Sequence, residues 1–205
     1  RLVAGVNRGR KKLEQFGHRF GVDALYQDYR KMLDEARPDI CIVATHPELH
    51  CQMIEECAAA SSTQAIICEK PMALSLGECD RMIGACERAG VLLQINHNRR
   101  WKSDWVQAQQ LLTDGVIGDL NNIQCFMDGG KPDPSWRSDN EGPLLHDFCH
   151  YFDLMDLYAG GIDWLCGMVE QRTRPWPVED FSAVFMKFKS GATGVINCSE
   201  ITNYE

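Results

Sequence analysis

Short apolar runs alternate with amphipathic stretches through the first half of the chain, and that alternation predicts βαβ units built on a parallel sheet. Leu2 to Val6 is the first strand-like run. Helical patterns follow over Arg8 to Phe20 and over Asp28 to Glu35, the second ended by Arg37-Pro38 because proline cannot continue a helix. Asp39 to Ala44 is a continuous, partly β-branched apolar run, the pattern of a strand buried on both faces. A helix is expected from Glu48 to Ala60, a buried strand from Gln64 to Cys68, and a helix up to Ala89 opened by the capping box Ser75-Leu76-Gly77-Glu78 and closed by Gly90. Val91 to Ile95 completes the series as another strand.

The second half changes character. A helix over Lys102 to Thr113 precedes a strand over Leu120 to Met127, a loop rich in Gly, Pro, Asp and Ser, and an amphipathic helix from Leu144 to Tyr158. Trp164 to Gln171, Phe181 to Phe188 and Ala192 to Cys198 read as strands, the last two joined at the hairpin signal Lys189-Ser190-Gly191. The expectation is an antiparallel sheet carrying helices on one face.

Several strands of the first half end in polar or special residues: Asn7-Arg8, Thr45-His46-Pro47, Glu69-Lys70-Pro71 and Asn96-His97-Asn98-Arg99-Arg100. In open α/β sheets ligands bind outside the carboxyl ends of the strands, so these turns are the candidate site. Lys70 sits where a buried strand becomes a loop. Partial loss of solvent lowers a lysine pKa and suits it to proton chemistry, whereas a surface lysine paired with Glu69 is the plainer alternative for so short a motif.

On the predicted helix from Leu144 to Tyr158, the residues Leu144, Phe148, Tyr151, Phe152 and Met155 form an apolar face, and His146, His150 and Asp153 recur on another. Such a stripe suits general acid-base work, a metal ion gripped by His146 and His150 with Asp147 or Asp153, or a purely structural polar face. Asn7 stands where a dinucleotide fold reads the adenosine ribose. With Arg8, Arg10, Lys11 and Lys12 after it, this turn favours a 2′-phosphate and hence NADP over NAD; a solvated basic helix start is the competing reading.

Composition narrows the classes. The 205 residues are 44% hydrophobic and carry a net charge of −8, which fits a globular protein and argues against binding nucleic acid through its phosphates. No apolar run is long enough to span a bilayer and no leader pattern opens the chain, so a cytoplasmic location without membrane contact is expected. The ten cysteines are scattered without a CxxC pair and read as reduced core residues. Neither end looks natural, and the chain is expected to be a fragment.

Taken in order, Tyr26-Gln27-Asp28-Tyr29, Ala44-Thr45 with His50, Glu69-Lys70-Pro71, Asn98-Arg99-Arg100-Trp101 and the stretch from Gly142 to Asp153 resemble the Gfo/Idh/MocA family of oxidoreductases. The resemblance spans nearly the whole chain. It implies an α/β fold: an incomplete Rossmann-type parallel sheet over residues 1–98, followed over 99–205 by a truncated α+β domain with a mostly antiparallel sheet, which would bind substrate and form a homo-oligomer. Asn7, Arg8, Thr45, His46, Pro47, His50, Glu69, Lys70, Asn98 and Arg100 would line NADP, or NAD in its place. Lys70 and His150, with His146 where the family usually has an aspartate, would be catalytic, and the Lys70-Pro71 bond is expected to be cis.

The reaction implied is hydride transfer between nicotinamide and a sugar, cyclitol or related polyol, with Trp136, Arg137 and Asp147 at the substrate. NAD-dependent glycoside cleavage, a cofactor-sensing regulator and a metal-dependent hydrolase are the alternatives. The family's G-x-G-x-x-G turn is not in the sequence, whose first strand resembles the family's second. These 205 residues alone are therefore expected to hold NADP weakly.

Overall fold

The computed structural model describes residues 1–128, 141–173, 175 and 177–201. Two compact units divide the chain, Arg1–Asn96 and His97–Glu205.

In the first unit, strand β1 (Gly5–Val6) leads through helix α1 (Arg10–Phe20) to β2 (Leu25–Tyr26), and the two strands pair in parallel. Helix α2 (Tyr29–Ala36) follows, with the Asp28 side chain accepting from the Arg30 amide at its start. Strands β3 (Ile40–Val43), β4 (Ala65–Cys68) and β5 (Leu92–Ile95) form a parallel sheet in that order, in register Ile40–Ala65–Leu92 through Val43–Cys68–Ile95. Helix α3 (His50–Ala59) connects β3 to β4, and α4 (Leu76–Ala89) connects β4 to β5.

The core of this unit consists of Cys41, Val43, Ile66 and Cys68 from the sheet against Ile54, Cys57, Met82 and Cys86 from α3 and α4. The reading of β3 as buried on both faces is corrected. Ile40 and Ile42 are 57% and 64% exposed, because α3 and α4 cover one face and no element among the described residues covers the other. The strand β2 was not expected; two residues are too few to carry a period. The capping box forms as expected: the Ser75 hydroxyl accepts from the Glu78 amide at 3.3 Å, and the Glu78 carboxylate accepts from the Leu74 amide at 3.2 Å.

In the second unit, α5 (Ser103–Thr113) precedes a four-stranded sheet of order β6-β9-β8-β7, formed by β6 (Asn122–Asp128), β7 (Ile162–Glu170), β8 (Phe181–Phe188) and β9 (Thr193–Ser199). Its β7–β8 and β8–β9 pairs are antiparallel, and β6–β9 is parallel. The predicted helix from Leu144 to Tyr158 is two: α6 (Pro143–His146) and α7 (Cys149–Ala159). Phe148, at the break, is fully buried with Met155 and Ala159 against Met186, Phe188 and Ile196 of the sheet.

The sheet's other face is open. Its cross-strand rows run Asn122, Thr193, Lys187, Trp164; then Gln124, Val195, Phe185, Cys166; then Phe126, Asn197, Ala183, Met168. Phe126, Trp164, Met168 and Phe185 are exposed along it. All ten cysteines are free thiols, and six are buried; Cys166, exposed on β7, departs from the reading of the cysteines as core residues. Burial pushes the Cys68 thiol up to about 12 and the Cys125 thiol up to about 11. No helix among the described residues is long and apolar enough to cross a membrane.

Replacing Ser75 by Ala removes the α4 cap, and urea unfolding is expected to register a loss of about 1 kcal/mol, the usual worth of such a cap.

Candidate active site

Strands β1, β3, β4 and β5 each deliver a C-terminal end to a turn that carries a candidate residue. After β1, Asn7 and Arg8 are exposed. The Asn7 side-chain oxygen accepts from the Gly9 amide at 2.8 Å, and Gln27 donates to the Arg8 carbonyl at 2.9 Å, so the turn is braced from two sides. Arg10 is paired with Glu14 on α1 at 2.8 Å, which leaves Arg8 as the better placed cation for a ligand at this turn.

After β3, Thr45 is exposed, His46 is half-buried and Pro47 is buried at the start of a single 3-10 turn (Pro47–Leu49). His50, at the first position of α3, has no exposed surface. Its Nδ1 faces the Pro71 and Met72 carbonyls at 3.1 and 3.2 Å, and its Nε2 faces the Thr45 carbonyl at 3.1 Å. Expected to line the cofactor, His50 is enclosed by the turns themselves. It ties the turn after β3 to the turn after β4.

That second turn holds Glu69 and Lys70, both half-buried, and the Lys70-Pro71 bond is cis as expected. The Glu69 amide donates to the Val43 carbonyl at 2.9 Å, and its carboxylate accepts from the Asn96 side chain at 2.6 Å. Glu69 is therefore joined to the end of β5.

In the second unit, Asn98 is exposed at the start of a 3-10 turn (Asn98–Trp101) that lies on α7. Arg99 stacks over the Tyr151 ring at 4.3 Å. Arg100 donates twice to Asp153, at 2.7 and 2.6 Å. Its guanidinium, 40% exposed, thus holds a carboxylate that is 11% exposed. Two charge-assisted bonds of this kind hold the turn more firmly than neutral ones would.

His150 is buried on α7, and the ring of His97 meets it edge to face with centroids 5.9 Å apart. His97 Nδ1 is also 3.8 Å from Asp153 Oδ2. His146 lies apart from this group, its Nδ1 3.2 Å from the buried Glu141 carboxylate and its Nε2 3.7 Å from Asp147. The single stripe of His146, His150 and Asp153 is thus divided, because the chain breaks helical geometry between α6 and α7. Among the described residues no three His, Cys, Asp or Glu side chains gather as metal ligands. Trp136 and Arg137 lie outside the described residues.

Sequence reasoning passed over Glu141, Glu179 and the role of His97. Glu179 accepts from the Leu144 amide at 3.0 Å, which closes the open start of α6. A Cβ on Gly142 would run into that carboxylate, so the glycine is what lets Glu179 approach. His97 could have been flagged by its place at a strand end. Glu141 and Glu179 carry no sequence signal, since their neighbours are distant or loop residues.

These observations frame the comparisons with known proteins. The Gfo/Idh/MocA oxidoreductase family, NAD-binding Rossmann fold, matches residues 1–97, and the Gfo/Idh/MocA C-terminal domain matches residues 105–205. The chain belongs to the Gfo/Idh/MocA family. It is 30% identical to D-apiose dehydrogenase of Paraburkholderia graminis over 97% of this chain and 53% of that protein. Identity to myo-inositol 2-dehydrogenase of Thermotoga maritima is 26%, over 94% of this chain and 59% of that protein. An oxidoreductase from Agrobacterium radiobacter, solved in complex with NAD+, L-tartaric acid and magnesium, has the same fold with a TM-score of 0.90 at 23% identity, over 98% of this chain and 60% of that one. The chain thus spans between half and two thirds of the length of these proteins.

Burial pushes the Glu179 carboxyl above its ordinary value of 4.5, against the pull of the Leu144 amide. Its protonation therefore favours the folded state: that contribution is complete below the ordinary carboxyl value and is lost as pH rises through the raised one. Glu179→Gln removes this dependence. Urea midpoints measured from pH 4 to pH 8 are expected to fall for the native chain relative to the variant as pH rises, and parallel curves would count against the assignment.

Proposed function

We propose that the protein is an NADP-preferring dehydrogenase that moves a hydride between nicotinamide and a sugar, cyclitol or related polyol. The observation that carries the reading is the set of strand-end turns, with the His50 clamp holding the Lys70 turn against the Thr45 turn. Membership of a family with apiose and inositol dehydrogenases among the matched relatives supports the substrate class. The first unit serves as the cofactor-binding domain and the second as the substrate-binding domain.

The donor set fits a dinucleotide in part. Exposed Asn7 and Arg8 suit the adenosine ribose with its 2′-phosphate, and Thr45, His46, Pro47, Glu69, Lys70 and Asn98 stand in strand-end turns suited to the rest. The cofactor, when bound, supplies the hydride acceptor. Lys70 then polarises the substrate oxygen through its ammonium, and His150 takes the hydroxyl proton. Trp136, Arg137 and Asp147 contact the substrate, an aromatic face and charged groups being suited to a polyhydroxylated ring. His146, paired with Glu141, acts from beside this group.

Turnover of a panel of aldoses and cyclitols with NADP and with NAD tests the reading in the full-length enzyme. Lys70→Ala and His150→Asn are expected to lower kcat by about 10²-fold or more, the usual worth of an acid-base group. Arg8→Ala is expected to narrow the preference for NADP while leaving NAD kinetics alone. Tight cofactor binding without turnover of any polyol would point instead to a regulator.

The open face of the four-stranded sheet suits a homo-oligomer contact, since its exposed Phe126, Met168 and the Trp164–Phe185 pair are costly to leave in water. Sedimentation is expected to give a dimer or larger assembly that Phe126→Asp together with Phe185→Asp returns to the monomer; a native monomer would defeat this assignment.

A further inference from the structure

An acid-base residue must exchange its proton with solvent once in each turnover, yet His150 is 6% exposed. His97 touches that ring and keeps 23% of its side chain exposed. Its own ring meets His150 edge to face at 82°. It also lines a cavity of about 660 Å³ within the second unit, alongside Phe152, Asp153, Asp156 and Glu179.

Asp153 Oδ2 is 3.8 Å from His97 Nδ1, and the Asp153 carboxylate is itself fixed by both donors of Arg100. An adjacent carboxylate stabilises an imidazolium and sets the ring's direction. The charged and titratable groups that share this cavity or its rim are Asp153, Asp156 and Glu179, with Arg100 and His150 behind them.

We propose that His97 is a proton-relay residue acting through His150, with Asp153 and Arg100 as its positioning residues. The proposal rests on the dehydrogenase reading given above. In the oxidative direction the substrate carbon loses a hydride to the nicotinamide cofactor and its hydroxyl loses a proton to His150. That proton passes to His97 and from there to water in the cavity, so the alcohol gives up one hydride and one proton and becomes a carbonyl. In the reductive direction the path is reversed. Two imidazolium rings at this separation repel each other, so the proton must leave His97 for water before the pair takes up the next one.

The test has two independent readouts on the full-length protein. In histidine-labelled nitrogen NMR, His97 and His150 are expected to titrate in interacting steps; Asp153→Asn should move both midpoints, and His97→Gln should move that of His150 upward. Independent titrations, unaffected by either variant, would overturn the relay whether or not a substrate is known. In turnover, His97→Ala is expected to lower kcat by about 10²-fold with KM little changed, and added imidazole, admitted by the cavity, should restore part of it. An active enzyme that loses turnover with His150→Asn but keeps its full kcat with His97→Ala would refute the relay and leave the dehydrogenase reading intact. Failure of the native enzyme to oxidise any polyol would defeat that reading instead, and the titrations would then decide the relay alone.

Discussion

The three carbonyls around His50 are the constraint on which the first unit's site depends. A parallel sheet places strand ends side by side but leaves the turns beyond them free to splay, since no ladder hydrogen bond reaches them. His50 closes that freedom: one ring nitrogen faces the carbonyl of Thr45 and the other the carbonyls of Pro71 and Met72. The ring nitrogen that carries the proton donates to the carbonyl it faces, and burial strengthens that bond because nearby water is not available to replace either partner. Asn96 extends the same bracing to β5 through Glu69. Lys70 is thus carried on a turn held from both flanks.

The second unit solves the equivalent problem with charge. Its 3-10 turn has little hydrogen bonding of its own, and consecutive arginines fasten it to α7, one by stacking on Tyr151 and one by the fork of bonds to Asp153. These contacts bring His97 to the edge of the His150 ring. An imidazole set against carbonyls thus orders the first site and an ion pair the second, and the two will differ in sensitivity to salt.

Much of this was legible in the sequence because the signals were local. The capping box at Ser75, the hairpin at Lys189-Ser190-Gly191 and the period-two strand Phe181–Phe188 each depend on residues a few positions apart. The break between α6 and α7 was not legible: the apolar period continues smoothly through Asp147 and Phe148, and it is the docking of Phe148 into the sheet core that ends one helix and starts another. The exposure of Ile40 and Ile42 depends on which elements reach that face of the sheet, and the commitments of His50 and Arg100 depend on partners 21 and 53 positions away. A single strand's composition encodes neither.

The distribution of thiols gives the molecule a property separate from catalysis. Cys68 lies two residues before Lys70, but its burial and its thiol held near 12 leave almost no thiolate at neutral pH. Cys166 alone among the ten is exposed, on the aromatic open face of β7. A maleimide will therefore react at that face while it is uncovered, and assembly through the face would protect the thiol. Labelling at Cys166 would thus read whether the sheet surface is free or covered, with the half-buried Cys79, Cys125 and Cys149 as slower competitors.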